Sequence, residues 1–376
     1  MLWIPGPTEV RPEVLEECAR PMIGHRSPAM GELIERIDEH MHFLFGFDPN
    51  GSTRAAVATA SATGLFEAAL QGVGRKVLCV VNGAFSKRWL AVAQSLGLEA
   101  TALEVEWGRA VEPAELERRL TEDGPFDAVT VVANETSTGV RTPLDELGRV
   151  SAKFPNTLLL VDAVSLLAGA PVDVDQHGID FLLAGSQKAL ALPPGLALFA
   201  ASERYVERAK EQPHRGWYLD PLRLLDGHAA RKTPTTPVIP LYRALARQLE
   251  DITAGATLPA AELGTTGAAA WKARFAKHER MRARTHAWAS EHGAEPFPTP
   301  VEHASPTVSC LAAGPIDVAL LTAGLKERGY EISNGYGDLK GKTFRIGHMG
   351  DHTEDGLEEL LTVADEVLAA TTASSS

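Results

Sequence analysis

The residue pattern predicts an α/β protein: a large, doubly wound, mainly parallel sheet domain and a smaller C-terminal α/β domain. Two observations carry this expectation. Between about residues 55 and 200, short continuous apolar runs alternate with amphipathic stretches, which is the pattern of strand–helix crossover units. After a loop-like tract over 251–267 and a helix pattern from about 271 to 291, a second, shorter series of strands and helices follows. The expected division is an N-terminal arm over 1–20, a large domain over 21–255 and a small domain over 256–376.

The elements follow in order. The first twenty-odd residues are rich in Pro and Gly and read as an extended arm. Ser27-Pro28 opens a helix, with Ser as N-cap and Pro at the first helical position. Met30, Ile34, Ile37, Met41 and Leu44 continue it at helical spacing. The runs 76–81, 128–133, 157–161, 181–184 and 196–200 are short and apolar throughout, as strands buried on both faces require. Leu144, Leu147 and Val150 mark a helix after Thr142-Pro143. In the small domain, strands are expected at 307–311, 330–333 and 343–348, and helices at 317–326 and 355–368. The end, 371–376, reads as a short disordered tail.

Composition narrows the function. The 376 residues are 44% hydrophobic and 23% charged, enough apolar content for sizeable cores. A net charge of −13 repels phosphate backbones and anionic bilayers, which argues against nucleic-acid and membrane partners. The three cysteines, Cys18, Cys79 and Cys310, form no CxxC pair and are odd in number. They suggest no disulfide framework and fit a reducing cytoplasm. The start has no basic segment or long apolar run, so no signal peptide is expected. The most apolar stretch, 158–172, is interrupted by Asp162 and is too short to span a bilayer. His40 and His42 are two apart and share no helix face. No HExxH, Cys/His cluster, Walker loop or strand-following GxGxxG occurs, so no metal is expected.

The most informative segment is 158–194. Asp162 ends a buried strand and, alone, would read as a helix cap. Lys188 follows the 181–184 strand through Gly185-Ser186-Gln187 and is then walled by Ala189, Leu190, Ala191 and Leu192. Alone, it would read as a lysine snorkelling to solvent. Together they suggest chemistry. Apolar surroundings push a lysine below its usual value of ~10.4, and an amine so tuned can attack an aldehyde and later carry a proton. A carboxylate on the neighbouring strand can hold a pyridine nitrogen protonated, which makes the ring an electron sink.

The segments VDAVSLLAGAP and GSQKALALPPG resemble the cofactor core of the class V, fold-type I, pyridoxal-phosphate-dependent aminotransferases. The alanine–glyoxylate/serine–pyruvate group is the most similar. PGPTEVRPEVL, MIGHRSPAM, TASATGLFEAAL, NGAFSKRW, NETSTGV, TPTTPVIPLY and FRIGHMG extend the resemblance along most of the chain in the family's order. It implies that Lys188 carries pyridoxal 5'-phosphate as a Schiff base and that Asp162 pairs with the pyridine nitrogen. Ser61, Ala62 and Thr63 would hold the phosphate at a helix N-terminus, where free N–H groups and the dipole favour an anion. Phe85 would lie on the ring, Thr136 near the phenolic oxygen and Gln187 near the phosphate. Thr235, or Thr236 in the alternative register, would reach the phosphate from the partner subunit of a homodimer with shared sites. Arg345 would grip the substrate carboxylate by two parallel hydrogen bonds. His25 and Arg26 would border the substrate entrance.

Two positions depart from the family pattern: Lys232 stands where relatives often have Tyr, and Ala62 where they have Gly. The implied reaction is cytoplasmic transamination between alanine or serine and glyoxylate or pyruvate. Phosphoserine and aspartate aminotransferases are the close alternatives. A cysteine desulfurase is further off, because Gln187 and Phe85 replace that group's histidines and Cys310 falls inside a strand pattern.

Overall fold

The computed structural model describes residues 1–374. Two helices open the chain, α1 (Pro12–Cys18) and α2 (Pro28–Phe45). The large unit continues with β1 (Arg54–Thr59), α3 (Ala62–Gln71), β2 (Lys76–Val81), α4 (Ala84–Ser95), β3 (Glu99–Glu104) and α5 (Pro113–Glu122). It then runs through β4 (Ala128–Val132), the short pair β5 (Asn134–Glu135) and β6 (Val140–Arg141), α6 (Leu144–Ser151), β7 (Leu158–Asp162), β8 (Phe181–Gly185) and β9 (Leu196–Ala201). Helices α7 (Glu203–Glu211), α8 (Pro221–Ala229), α9 (Ile239–Thr253) and α10 (Ala268–Glu291) lead to the small unit. That unit holds β10 (Glu295–Pro296), β11 (Val308–Ala312), α11 (Val318–Glu327), β12 (Ser333–Asn334), β13 (Thr343–Gly347) and α12 (Glu354–Ser374).

Seven strands form the large sheet in the order β1-β9-β8-β7-β4-β2-β3. All pairings among β8, β7, β4, β2 and β3 are parallel, and β9 is antiparallel to both β8 and β1. The exception has a local cause. Only residues 186–195 separate β8 from β9, and a parallel return needs a crossover of a dozen residues or more. That short connection carries Lys188. The small sheet, β10-β11-β13-β12, is antiparallel throughout.

Side chains alternate across the large sheet. Leu78, Val80, Val129, Val131, Leu159 and Val161 feed one core cluster, while Val77, Cys79, Val81, Ala128, Leu158 and Leu160 feed the cluster on the other face. Burial on both faces explains why these strands read as continuous apolar runs. A third cluster, with Trp3, Trp288, Phe344 and Leu360, fills the small unit.

Several elements differ from expectation. The arm is not extended throughout, because Pro12 starts α1. Its first residues join the small unit instead: Leu2 bridges Glu331, and the Gly347 amide donates to the Trp3 carbonyl at 2.7 Å. Ser27 occupies the N-cap of α2, but its hydroxyl makes no capping bond. Strands β1 and β3 have no counterpart among the expected runs. The strand expected at 330–333 shrinks to β12, and the tract expected as loop from 251 begins as the last turn of α9. Helix α12 takes in most of the expected tail, whose last two residues lie outside the described ones.

Candidate active site

The carboxyl ends of the parallel strands converge at one edge of the sheet, where open α/β folds place their ligands. A cavity of about 260 Å³ opens there, lined by Ser61, Ala62, Thr63, Phe85, Thr136, Asp162, Gln187 and Lys188. The sequence singled out each of these. The lining also includes Gly6, Phe66, Arg88, Asn134, Val164 and Ser165, which it did not.

Three strand ends supply the main polar groups. After β1, Ser61 is the N-cap of α3 and no side chain caps that helix, so its first N–H groups and dipole face the cavity. The guanidinium of Arg88, on α4, donates to the Thr63 hydroxyl at 3.2 Å and adds positive charge at the same corner. Asp162 is the last residue of β7; its carboxylate accepts from the Val164 amide at 2.7 Å. Burial pushes this carboxyl up to about 7, against the opposing pull of that amide and of Arg88 and Lys188.

Lys188 follows β8. Its ammonium donates to the Pro5 carbonyl, and its own carbonyl accepts from the Thr8 hydroxyl at 3.1 Å. Burial lowers it to about 8; Arg345 and Arg88 act in the same direction, and Asp162 opposes them. Gly6 is required beside it. A Cβ there would lie 2.5 Å from Lys188 Cδ, and the backbone is left-handed at φ +92°.

Phe85 sits on the first turn of α4. Thr136 donates to the Ser165 hydroxyl at 2.7 Å, and Asn134 Nδ2 donates to the same oxygen at 2.9 Å. Arg345, on β13, stands just beyond the cavity lining. Its guanidinium donates to the carbonyls of Thr136 (3.2 Å) and Asn334 (3.1 Å). Tyr336 lies between Arg345 and Phe85, with the guanidinium 5.6 Å from its ring centre and the two rings 5.7 Å apart. Thr235 is half-buried in the segment between α8 and α9 and does not line this chain's cavity; nor do Thr236, Lys232, His25 or Arg26.

The donor set fits pyridoxal phosphate. A free amine, a buried carboxylate, a flat aromatic side chain and an uncapped helix N-terminus beside an arginine match, in turn, its aldehyde, ring nitrogen, ring face and phosphate.

Known proteins share this architecture. The sequence profile of the family Aminotransferase class-V matches residues 29–253. An uncharacterized aminotransferase of Methanocaldococcus jannaschii is 36% identical, over 93% of this chain and 88% of its own. The L-aspartate–glyoxylate aminotransferase of Paracoccus denitrificans is 30% identical, over 98% and 91%. The crystal structure of an alanine–glyoxylate aminotransferase from Nostoc sp. superposes with a TM-score of 0.86 at 27% identity, covering 98% of this chain and 94% of that one.

Proposed function

The chain belongs to the class-V aminotransferases, and from that premise we propose that it moves the amino group of a small amino acid, alanine or serine, to glyoxylate or pyruvate. The observation that carries the reading is the pairing of Lys188 and Asp162 at one cavity, Asp162 as the last residue of β7 and Lys188 in the connection that leaves the neighbouring strand β8. Glyoxylate is favoured as acceptor because it is named in relatives whose donors differ, aspartate in one and alanine in the other.

When bound, pyridoxal phosphate supplies an aldehyde for the lysine and a ring that accepts the electron pair left at the substrate Cα. The chain's residues do the rest. The amides of α3 and the Thr63 hydroxyl bind the phosphate, with Gln187 nearby. Asp162 holds a proton on the pyridine nitrogen, and that positive charge returns its carboxyl to the ionised form. Phe85 covers the ring, and Thr136 faces the phenolic oxygen. The amine of Lys188, lowered to about 8 and so about half neutral at that pH, would take the proton from the substrate Cα and deliver it to the cofactor's C4′ carbon. Arg345 exchanges its two carbonyl partners for the substrate carboxylate, a stronger charge-assisted pair. Thr235 reaches the phosphate from the partner subunit of a homodimer. No described helix is long and apolar enough to cross a membrane, and the scarce thiols support a cytoplasmic enzyme.

A desulfurase reading finds no support in the cysteines. Cys310 is buried in β11 opposite Arg345, and burial pushes its thiol up to about 11; thiols of that kind are inert.

A panel of amino donors against glyoxylate, pyruvate and 2-oxoglutarate tests the proposal. Alanine or serine with glyoxylate is expected to give the highest kcat/KM. Preference for phosphoserine or aspartate would select those alternatives, and sulfur release from cysteine would select the lyase.

A further inference from the structure

One wholly buried guanidinium outside the cavity touches both segments that carry its reactive groups. Arg274, on α10, is 0% exposed. Its Nε donates to the Ala168 carbonyl at 3.0 Å, and its Nη2 to the Ala189 carbonyl at 2.7 Å. Ala189 is the residue after Lys188, and Ala168 lies on the turn that leaves Asp162. Each segment contains a non-glycine residue in left-handed backbone, Ala168 at φ +67° and Ala191 at φ +51°. Such conformations cost of order 1–3 kcal/mol and persist only where the surroundings over-determine them.

The remaining donor, Nη1, is oriented by Asp351 (2.7 Å) and the Thr257 hydroxyl (2.9 Å). Asp351 is itself fixed by Arg11 at 2.7 Å and Gln248 at 2.9 Å. The fork is therefore aimed from behind by a buried network and spends its forward donors on two carbonyls.

We propose that Arg274 is a positioning residue for transamination, whose planar fork locks the Lys188 turn against the Asp162 segment so that amine and carboxylate meet one cofactor at a fixed separation. This rests on the roles proposed above for Lys188 and Asp162. Arginine suits the task because its donors are rigid and divergent; a lysine keeps the charge opposite Asp351 but directs a single ammonium. R274K therefore separates charge balance from positioning.

The test begins with the protein freed of cofactor. Reductive methylation with formaldehyde at graded pH, read by peptide mass spectrometry, gives the midpoint at which Lys188 becomes reactive. Burial, with Arg345 and Arg88 and against Asp162, lowers the Lys188 amine to about 8, so the native midpoint is expected well below that of an ordinary lysine. In R274K the turn opens to water, and the midpoint is expected to rise toward that of an ordinary lysine. In the reloaded enzyme kcat is expected to fall by roughly 10²-fold, the scale of a small misplacement remote from the chemistry, with KM for the amino donor unchanged. A lower Tm with native midpoint and native kcat would mean that Arg274 only stabilises the fold, and would overturn the proposal. Should R274K not fold, Thr257→Val removes one acceptor from the fork and no charge. It is expected to move midpoint and kcat in the same directions by less, and no movement in either would be equally fatal. Lys188→Ala tests the identity of the reactive lysine separately, so the two ideas fail on different results.

Discussion

The Glu135 carboxylate accepts the amide hydrogens of Phe85 at 3.1 Å and of Ser86 at 2.9 Å, and so caps α4 at the turn that carries the Phe85 phenyl group. Glu135 is wholly buried, and it also accepts from the Ser137 hydroxyl at 2.6 Å. A carboxylate at the positive end of a helix is favourably placed. Gly83 makes room for it, since a Cβ there would lie 2.4 Å from Glu135 Cγ and Cδ.

Glu135→Ala leaves those amides buried without an acceptor, at a cost of about 1–3 kcal/mol. The substitution is expected to lower Tm and, by freeing Phe85, to weaken cofactor affinity in titrations of the cofactor-free protein. A lower Tm with unchanged affinity would show that Phe85 does not lie on the ring.

Asp162 gives a pH prediction with a definite sign. Its folded value, about 7, lies above the ordinary 3.8, so between those values the folded chain keeps a proton that the unfolded chain releases. Cofactor-free stability contributed by this group therefore falls as pH rises through that window and is level above it. Asp162→Asn removes the loss. Cofactor-free variant and wild type are expected to be equally stable near pH 4, with the variant ahead by a few kcal/mol at pH 8. Transamination by the loaded variant should nevertheless drop by at least about 10²-fold, because a neutral amide cannot stabilise a pyridinium. Parallel denaturation curves at the two pH values, together with unchanged kinetics, would reduce Asp162 to a turn-former.

Shared sites in a homodimer predict recovery on mixing two inactive variants, Lys188→Ala and a severe replacement of Thr235. In a mixed dimer one site collects both lesions and the other is free of both. Activity should return to at most about half the sites of a wild-type dimer. No recovery, with subunit exchange shown independently, would return Thr235 to its own subunit.

The site and the large sheet were legible in the sequence to different depths. Asp162 could be singled out because a charged residue ending an apolar run is conspicuous, Lys188 because apolar residues wall it just after the next run, and the pair because consecutive parallel strands bring their ends together. The strand β1 was not legible, since RAAVAT is dominated by small residues. The edge strand β3, EATALE, faces solvent along much of its length and lacks an apolar run. Arg88 and Glu135 were missed for a different reason: each acts through a neighbour, Thr63 or the Phe85 amide, that only the folded chain supplies. Arg274 lies in AAAWKARFAKHERMRARTHAWASE, a charge-rich helix that reads as a solvated face. Its burial follows from packing α10 against the Ala168 and Ala189 carbonyls, which no periodicity records.

The central claim, that Lys188 is the residue joined to pyridoxal phosphate, is tested most directly by borohydride reduction of the loaded enzyme and peptide mass spectrometry. Reduction makes the linkage permanent, so the modified lysine can be identified. The other buried amine, Lys277, also lowered to about 7, is an internal control. The phosphopyridoxyl group is expected on Lys188 alone, and Lys188→Ala is expected to lose both the label and turnover. A label on Lys277, or near-wild-type transamination by Lys188→Ala, would contradict the assignment.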